Sequence, residues 1–105
     1  MKMEFTIKTP NKEGVLTLDE ELTIQNAVEI RKMLLKAVSS VSHTVLDMKD
    51  VVSVDVSFLQ ILVAALHSVE ASKKTIGVVN SAQVFRDVVQ QSGFTHVVKN
   101  LLSEK

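Results

Sequence analysis

Hydrophobic and polar residues follow two different periods along this chain, and the changes of period predict its elements. Residues 5–7 and 15–18 show the alternation of β-strands, and the turn-forming segment 9–14 (TPNKEG) separates them, which predicts a hairpin. Thr23 is a predicted N-cap. After it, a first amphipathic helix places its apolar residues on one side at helical spacing: Ile24, Ala27, Val28, Leu34, Leu35 and Val38. The segment 39–42 (SSVS) ends this helix.

The second half of the chain predicts alternating strands and helices. Residues 44–48 read as a central strand, apolar on both faces apart from Asp47. Residues 58–71 predict a second helix, apolar around most of its circumference, and residues 75–79 predict another strand. Ser81 is expected to cap a third helix that ends at Gly93 and buries one stripe, Val84, Phe85, Val88 and Val89. Residues 94–98 are candidates for a short last strand, and residues 99–105 for a terminal helix.

This order, β-β-α-β-α-β-α with an optional final β-α, predicts the fold class. Alternating strands and helices favour an α/β fold with a mixed, mostly parallel sheet of four to five strands covered by helices. The chain of 105 residues is long enough to bury a core without disulfides or metal. Because it contains no repeat or linker, we expect one domain over residues 1–105.

Composition removes several classes of function. Twelve basic residues balance twelve acidic ones without a basic stripe, which argues against nucleic acid as a partner. The absence of cysteine excludes disulfides and thiolate chemistry. The start of the chain lacks the apolar region of a signal peptide, and no apolar segment is long enough to span a bilayer. We therefore expect a soluble, cytoplasmic protein without direct membrane insertion.

The residue types that commonly carry catalysis are scattered. His43, His67 and His96 lie in three different elements without metal-ligand spacing, and no glycine-rich phosphate loop is present. Asp47 and Asp50 flank a strand end, where a solvated turn is favoured over a metal site. We therefore expect no catalytic residue, no metal and no cofactor.

The most informative segment is 51–60 (VVSVDVSFLQ), where a polar Asp-x-Ser separates the central strand from the second helix. Two interpretations of Ser57 are open. In the first, Ser57 is the helix N-cap and forms a capping box with Gln60, worth about 1 kcal/mol. In the second, Ser57 is a phosphoacceptor at the positive end of the helix, where backbone N–H groups favour anions.

The segments 46–51 (LDMKDV) and 53–59 (SVDVSFL) resemble the core of STAS domains, the family of anti-sigma factor antagonists. The family signature is an apolar strand with an Asp-Leu-Ser-like turn, followed by Asp-Ser-Ser-Gly-Leu at the start of a helix. The resemblance extends over nearly all of the chain, including 15–18, the first helix around Ala27, and 84–94 with its Ser-Gly-Phe ending. It implies the STAS fold and a non-enzymatic role.

The resemblance can be transferred residue by residue. Asp55 matches the leading aspartate, and Ser57 matches the serine that a partner kinase phosphorylates in regulatory members. Val56 and Phe58 replace the first serine and the glycine of the motif. Phe58 shares a helical register with residues 62, 65 and 69, so it either points inward and leaves Ser57 accessible, or points outward and blocks a kinase or contacts a partner.

The resemblance implies a regulatory function with a protein partner. The partner would be an anti-sigma factor or serine kinase of the histidine-kinase-like ATPase fold, and phosphorylation at Ser57 would prevent binding. The alternative is a constitutive interaction module of a chemosensory signalling complex or a membrane-transport ATPase, with Ser57 only a helix cap. A monomer or weak homodimer is expected. The expected partner-binding surface consists of Asp55, Val56, Ser57, Phe58, Gln60 and Ile61.

Overall fold

The computed structural model describes residues 3–18 and 20–93. They form six β-strands and three α-helices, with a short 3-10 helix at Ile24–Asn26. The strands are β1 (Glu4–Thr9), β2 (Glu13–Thr17), β3 (Glu21–Leu22), β4 (His43–Asp47), β5 (Ser53–Val54) and β6 (Thr75–Val79). The helices are α1 (Ala27–Ser40), α2 (Val56–Ala71) and α3 (Gln83–Ser92). The predicted last strand at 94–98 and the terminal helix lie outside the described residues.

Four strands form the main sheet in the order β1-β2-β4-β6, which confirms the predicted mixed, mostly parallel α/β sheet. β1 and β2 are antiparallel, as a hairpin requires, and β4 is parallel to both β2 and β6. Asn11 supplies a left-handed residue (φ 64°) to the hairpin turn, where the Lys12 N–H donates to the Thr9 carbonyl (2.9 Å). The parallel pairs are joined by α1 and α2, because parallel strands need crossover connections.

A second, two-stranded ladder was not predicted. β3 and β5 pair in parallel through Glu21 with Ser53 and Leu22 with Val54. Each strand has only two residues, which is too short to produce a readable alternation. This ladder matters for the site because it holds the two segments that precede α1 and α2 side by side.

The predicted apolar side of the first helix is only partly correct. α1 buries Ile30, Leu34, Ala37 and Val38, whereas Ile24 (66% exposed), Val28 (67%) and Leu35 (44%) face outward. Consecutive helical residues point about 100° apart, and in this packing Leu34 lies on the side of α1 that faces the core while Leu35 lies beyond its edge. Thr23 occupies the N-cap position of the 3-10 helix that leads into α1, as predicted, but its side chain makes no capping hydrogen bond.

The third helix confirms the predicted stripe and its end, but not its start. Phe85 and Val89 are buried, and Gly93 ends the helix in the left-handed conformation with φ 80°. The N-cap is Ala82 rather than Ser81. The Ser81 hydroxyl instead accepts a hydrogen bond from Arg86 (2.6 Å), which satisfies it away from the helix N–H groups.

The core lies between the main sheet and the helices. α2 contributes five buried residues to it, Phe58, Leu59, Leu62, Ala65 and Val69. Within residues 3–18 and 20–93, no helix combines the length and the apolar character needed to cross a membrane.

Candidate functional site

Asp55 organises the start of α2. Its backbone is extended (φ −126°, ψ 179°), and its Oδ1 accepts a hydrogen bond from the Ser57 backbone N–H at 2.9 Å. Asp55 is therefore the N-cap, and the predicted capping box of Ser57 with Gln60 is wrong. The physical reason is that Ser57 is already the second residue of the helix, so its backbone is helical and its own N–H is the donor that needs a partner.

The same carboxylate also holds the neighbouring segment. Asp55 Oδ2 accepts a hydrogen bond from the Ile24 backbone N–H at 2.9 Å, and the Asp55 N–H donates to the Leu22 carbonyl (3.1 Å). Ile24 begins the 3-10 helix that leads into α1. One aspartate thus fixes the start of α2 against the approach to α1, across 31 positions of sequence.

Phe58 points inward, which settles the orientation that the sequence left open. Its side chain is 1% exposed and packs edge-to-face on Phe85, with ring centroids 6.1 Å apart. It lies in the core with Leu62, as its register with residues 62, 65 and 69 indicated. Phe58 was predicted on the partner-binding surface, and that assignment is wrong because a side chain this buried cannot contact a partner.

Ser57 is half-buried in the first turn of α2. Within the described part of the chain, the hydrogen bond at Ser57 comes from its backbone N–H and none from its hydroxyl, and the neighbouring Phe58 side chain is buried in the core. Because Asp55 caps the helix, the Ser57 hydroxyl is not required for capping. His67 lies ten residues along the same helix, about 15 Å away by helical rise, so it is not a general base for Ser57.

The other predicted surface residues lie on two sides of Ser57. Val56 is 44% exposed and, with Asp55, borders a small cavity of about 270 Å³ next to α3. Gln60 is exposed and Ile61 half-buried on the side that faces α1. Each side of Ser57 at the start of α2 therefore carries one polar and one apolar residue, Asp55 with Val56 and Gln60 with Ile61.

A larger groove runs between α1 and α2 and reaches Ser57. We call this feature, which has a volume of about 510 Å³, the α1–α2 groove. The sequence did not indicate its α1 side, because it placed Ile24 and Leu35 on the same apolar side of the first helix as the buried Leu34 and Val38. The described residues that line it are Ile24, Ala27, Arg31, Leu34 and Leu35 from the α1 side, and Ser57, Gln60, Ile61, Ala64 and Ala65 from α2.

The described residues include no cluster of three or more His, Asp or Glu side chains that could hold a metal ion. Asp47 Oδ1 instead accepts hydrogen bonds from the Lys49 N–H and the Asn80 side chain, both at 3.0 Å, as a strand-end turn requires. His43 Nδ1 lies 2.6 Å from the Thr75 hydroxyl. His96 is outside the described residues.

The fold resembles solved structures of regulatory proteins. The phosphorylated form of the Bacillus cell fate determinant SpoIIAA matches with a TM-score of 0.69 and 20% identity, over 88% of this chain and 84% of that one. An anti-sigma factor antagonist from Mycobacterium paratuberculosis matches with a TM-score of 0.70 and 17% identity, over 91% and 82%.

A transporter contains a similar domain. The murine anion transporter Slc26a9 matches with a TM-score of 0.63 and 25% identity, over 76% of this chain and 14% of that chain. A search of curated proteins found no match. The model of the family described as Mlab, STAS domain matches residues 5–102. The chain therefore belongs to the STAS domain family.

Proposed function

We propose that this chain is a non-enzymatic regulatory STAS domain that binds a protein partner through the surface at the start of α2, and that phosphorylation of Ser57 prevents this binding. The observation that carries the proposal is the position of the Ser57 hydroxyl. It lies in the first turn of α2, unbonded within the described residues, because Asp55 caps the helix and Phe58 is buried. The expected partner class is an anti-sigma factor or a serine kinase of the histidine-kinase-like ATPase fold.

The electrostatics of the helix start favour a switch at the interface over a change of fold. A phosphate adds about −1.5 to −2 charges at neutral pH. The Asp55 carboxylate already accepts the hydrogen bond from the Ser57 N–H, so that donor is not free to bind the phosphate. The negative charge of Asp55 would also repel the phosphate. The positive end of the helix dipole offsets about 0.3–1 kcal/mol of that repulsion. The fold therefore tolerates the phosphate, whereas an apolar or acidic partner surface rejects it.

Intact-mass measurement of the protein purified from its native cells, with and without phosphatase, tests the modification. We expect a fraction that carries one phosphate, located at Ser57 by peptide mapping and removed by phosphatase. If only unmodified protein is detected under conditions in which the partner protein is active, the proposed phosphorylation switch is contradicted. Since an ATP-dependent kinase is required, the proposal implies a cytoplasmic location.

Ser57→Asp separates loss of binding from loss of folding. We expect this variant to lose the partners that the wild-type chain retains in a pull-down from native cells, while its free energy of unfolding changes by about 0.5 kcal/mol or less. Ser68→Asp is the matched control, because Ser68 is exposed on the same helix but lies outside the proposed surface. Unfolding of Ser57→Asp, with or without loss of binding, would contradict the proposal.

A second candidate is a constitutive interaction module of a chemosensory complex or a membrane-transport ATPase. The similarity to a domain of the Slc26a9 transporter supports it. In that case Ser57 would be a contact residue rather than the helix cap first envisaged, because Asp55 occupies the cap position. The neighbouring genes distinguish the two candidates. A neighbouring kinase or serine phosphatase gene favours the switch, and neighbouring transporter genes favour the module.

A further inference from the structure

The outer side of α1 and of the 3-10 helix before it exposes three large apolar side chains. Ile24, Val28 and Leu35 are large side chains with 66%, 67% and 44% of their surface exposed. Two of them, Ile24 and Leu35, line the α1–α2 groove. Exposed apolar residues that are grouped along one groove mark interaction surfaces more often than isolated ones do. This groove is continuous with the proposed partner-binding surface, since Ser57, Gln60 and Ile61 line both.

The shape of the groove suits a helix. Its two walls are helices, and small side chains, Ala27 on α1 with Ala64 and Ala65 on α2, lie along it. Small residues allow a close approach of another backbone, and the larger Ile24 and Leu35 supply apolar contacts on the α1 side. From Ala27 to Leu35 the α1 wall extends about 12 Å by helical rise, which corresponds to about two turns of a bound helix.

The positive charge at the groove favours a negatively charged partner. Arg31 is the single charged side chain among its described lining residues. It is exposed, and its guanidinium has no hydrogen bond or ion pair within the described residues. Two further exposed cations, Lys32 and Lys36, follow on α1, while the nearby Glu29 is exposed but does not line the groove. A positive charge beside apolar walls complements a carboxylate on an amphipathic segment.

We propose that the α1–α2 groove binds an acidic amphipathic helix of the partner protein, with the apolar face of that helix between α1 and α2 and a carboxylate paired with Arg31. This inference rests on the proposed function and names the chemistry of its partner. It also explains why a phosphate would act at this position: Ser57 lines the same groove, so a phosphate there would repel an acidic helix directly.

The probe is a display library of helical peptides of about 18 residues, or five turns, selected on the immobilised full chain. We expect enrichment of peptides with an apolar stripe and a net negative charge. Their affinity, measured by fluorescence anisotropy, should fall about tenfold or more in Arg31→Glu and in Leu35→Gln, and should weaken as salt is added. Lys32→Glu is the matched charge control and Ile7→Gln the matched apolar control, because neither residue lines the groove.

Several results would overturn the inference. They are enrichment of basic or uncharged peptides, failure to enrich any helical peptide, or equal losses in Arg31→Glu and Lys32→Glu. A wild-type chain that self-associates in sedimentation velocity, and becomes monomeric as Leu35→Gln, would identify a second copy as the occupant instead.

The variants also separate this inference from the proposed function. If the peptides no longer bind Ser57→Asp but still bind Arg31→Glu and Leu35→Gln, the proposed role of the Ser57 surface is supported and the proposed helix-binding role of the groove is refuted. Peptides that lose binding in the two α1 variants but not in Ser57→Asp would support the groove and refute the phosphate switch.

Discussion

Replacement of Asp55 tests whether one carboxylate joins the starts of α1 and α2. Asp55→Ala removes two hydrogen bonds of 2.9 Å, one from the Ser57 N–H and one from the Ile24 N–H. Loss of the helix cap costs about 1 kcal/mol. Loss of the second bond costs about another 1 kcal/mol, because the Ile24 N–H is exposed and water replaces part of the bond. We therefore expect Asp55→Ala to lower the free energy of unfolding by about 2 kcal/mol.

Asp55→Asn separates the two bonds. Asparagine caps helices as well as aspartate does, but its amide has only one acceptor oxygen, so it keeps the bond from Ser57 and loses the bond from Ile24. We expect this variant to lose about 1 kcal/mol, half of the effect in Asp55→Ala.

Urea denaturation followed by far-ultraviolet circular dichroism measures both variants, and thermal unfolding should show the alanine variant about 10 °C below wild type. Asp50→Ala is the control, because Asp50 is exposed and its side chain makes no hydrogen bond within the described residues; its change should stay within about 0.5 kcal/mol. Equal losses in the Asn and Ala variants would refute the two-bond account. Wild-type stability of Asp55→Ala would refute the capping role itself.

Three further changes test the packing around the site. Phe58→Ala should lower the free energy of unfolding, measured by urea denaturation, by about 3–5 kcal/mol, because it empties a core position packed on Phe85. Val56→Ala, at a nearby exposed position, should lower it by less than about 0.5 kcal/mol. Equal effects would place Phe58 at the surface. Thr44→Val should raise the free energy of unfolding by about 1 kcal/mol, because the buried Thr44 hydroxyl has no partner among the described residues; a loss of stability would reveal a hidden bond. Gly93→Ala should lower the midpoint of thermal unfolding by several degrees, since the left-handed φ of 80° costs about 1 kcal/mol with a Cβ; an unchanged midpoint would contradict that conformation.

Much of the fold follows from local sequence patterns. The hairpin turn, the central strand and the left-handed end of α3 at Gly93 were predictable because turn residues and hydrophobic periods act over a few neighbouring residues. The inward register of Phe58 with Leu62 had the same origin, since helical geometry fixes which residues share a face. The strand-to-helix junction that contains Ser57 was likewise visible in the sequence.

Tertiary structure decided the details on which the site depends. The role of Asp55 depends on the β3–β5 ladder, which brings the Ile24 N–H within hydrogen-bond distance of its carboxylate. No local sequence pattern predicts a contact across 31 residues. Leu34 and Leu35 are the same residue type, but the position of α1 on the sheet buries the first and exposes the second. The α1–α2 groove exists for the same reason: hydrophobicity is a property of each residue, whereas burial depends on which distant elements pack against it.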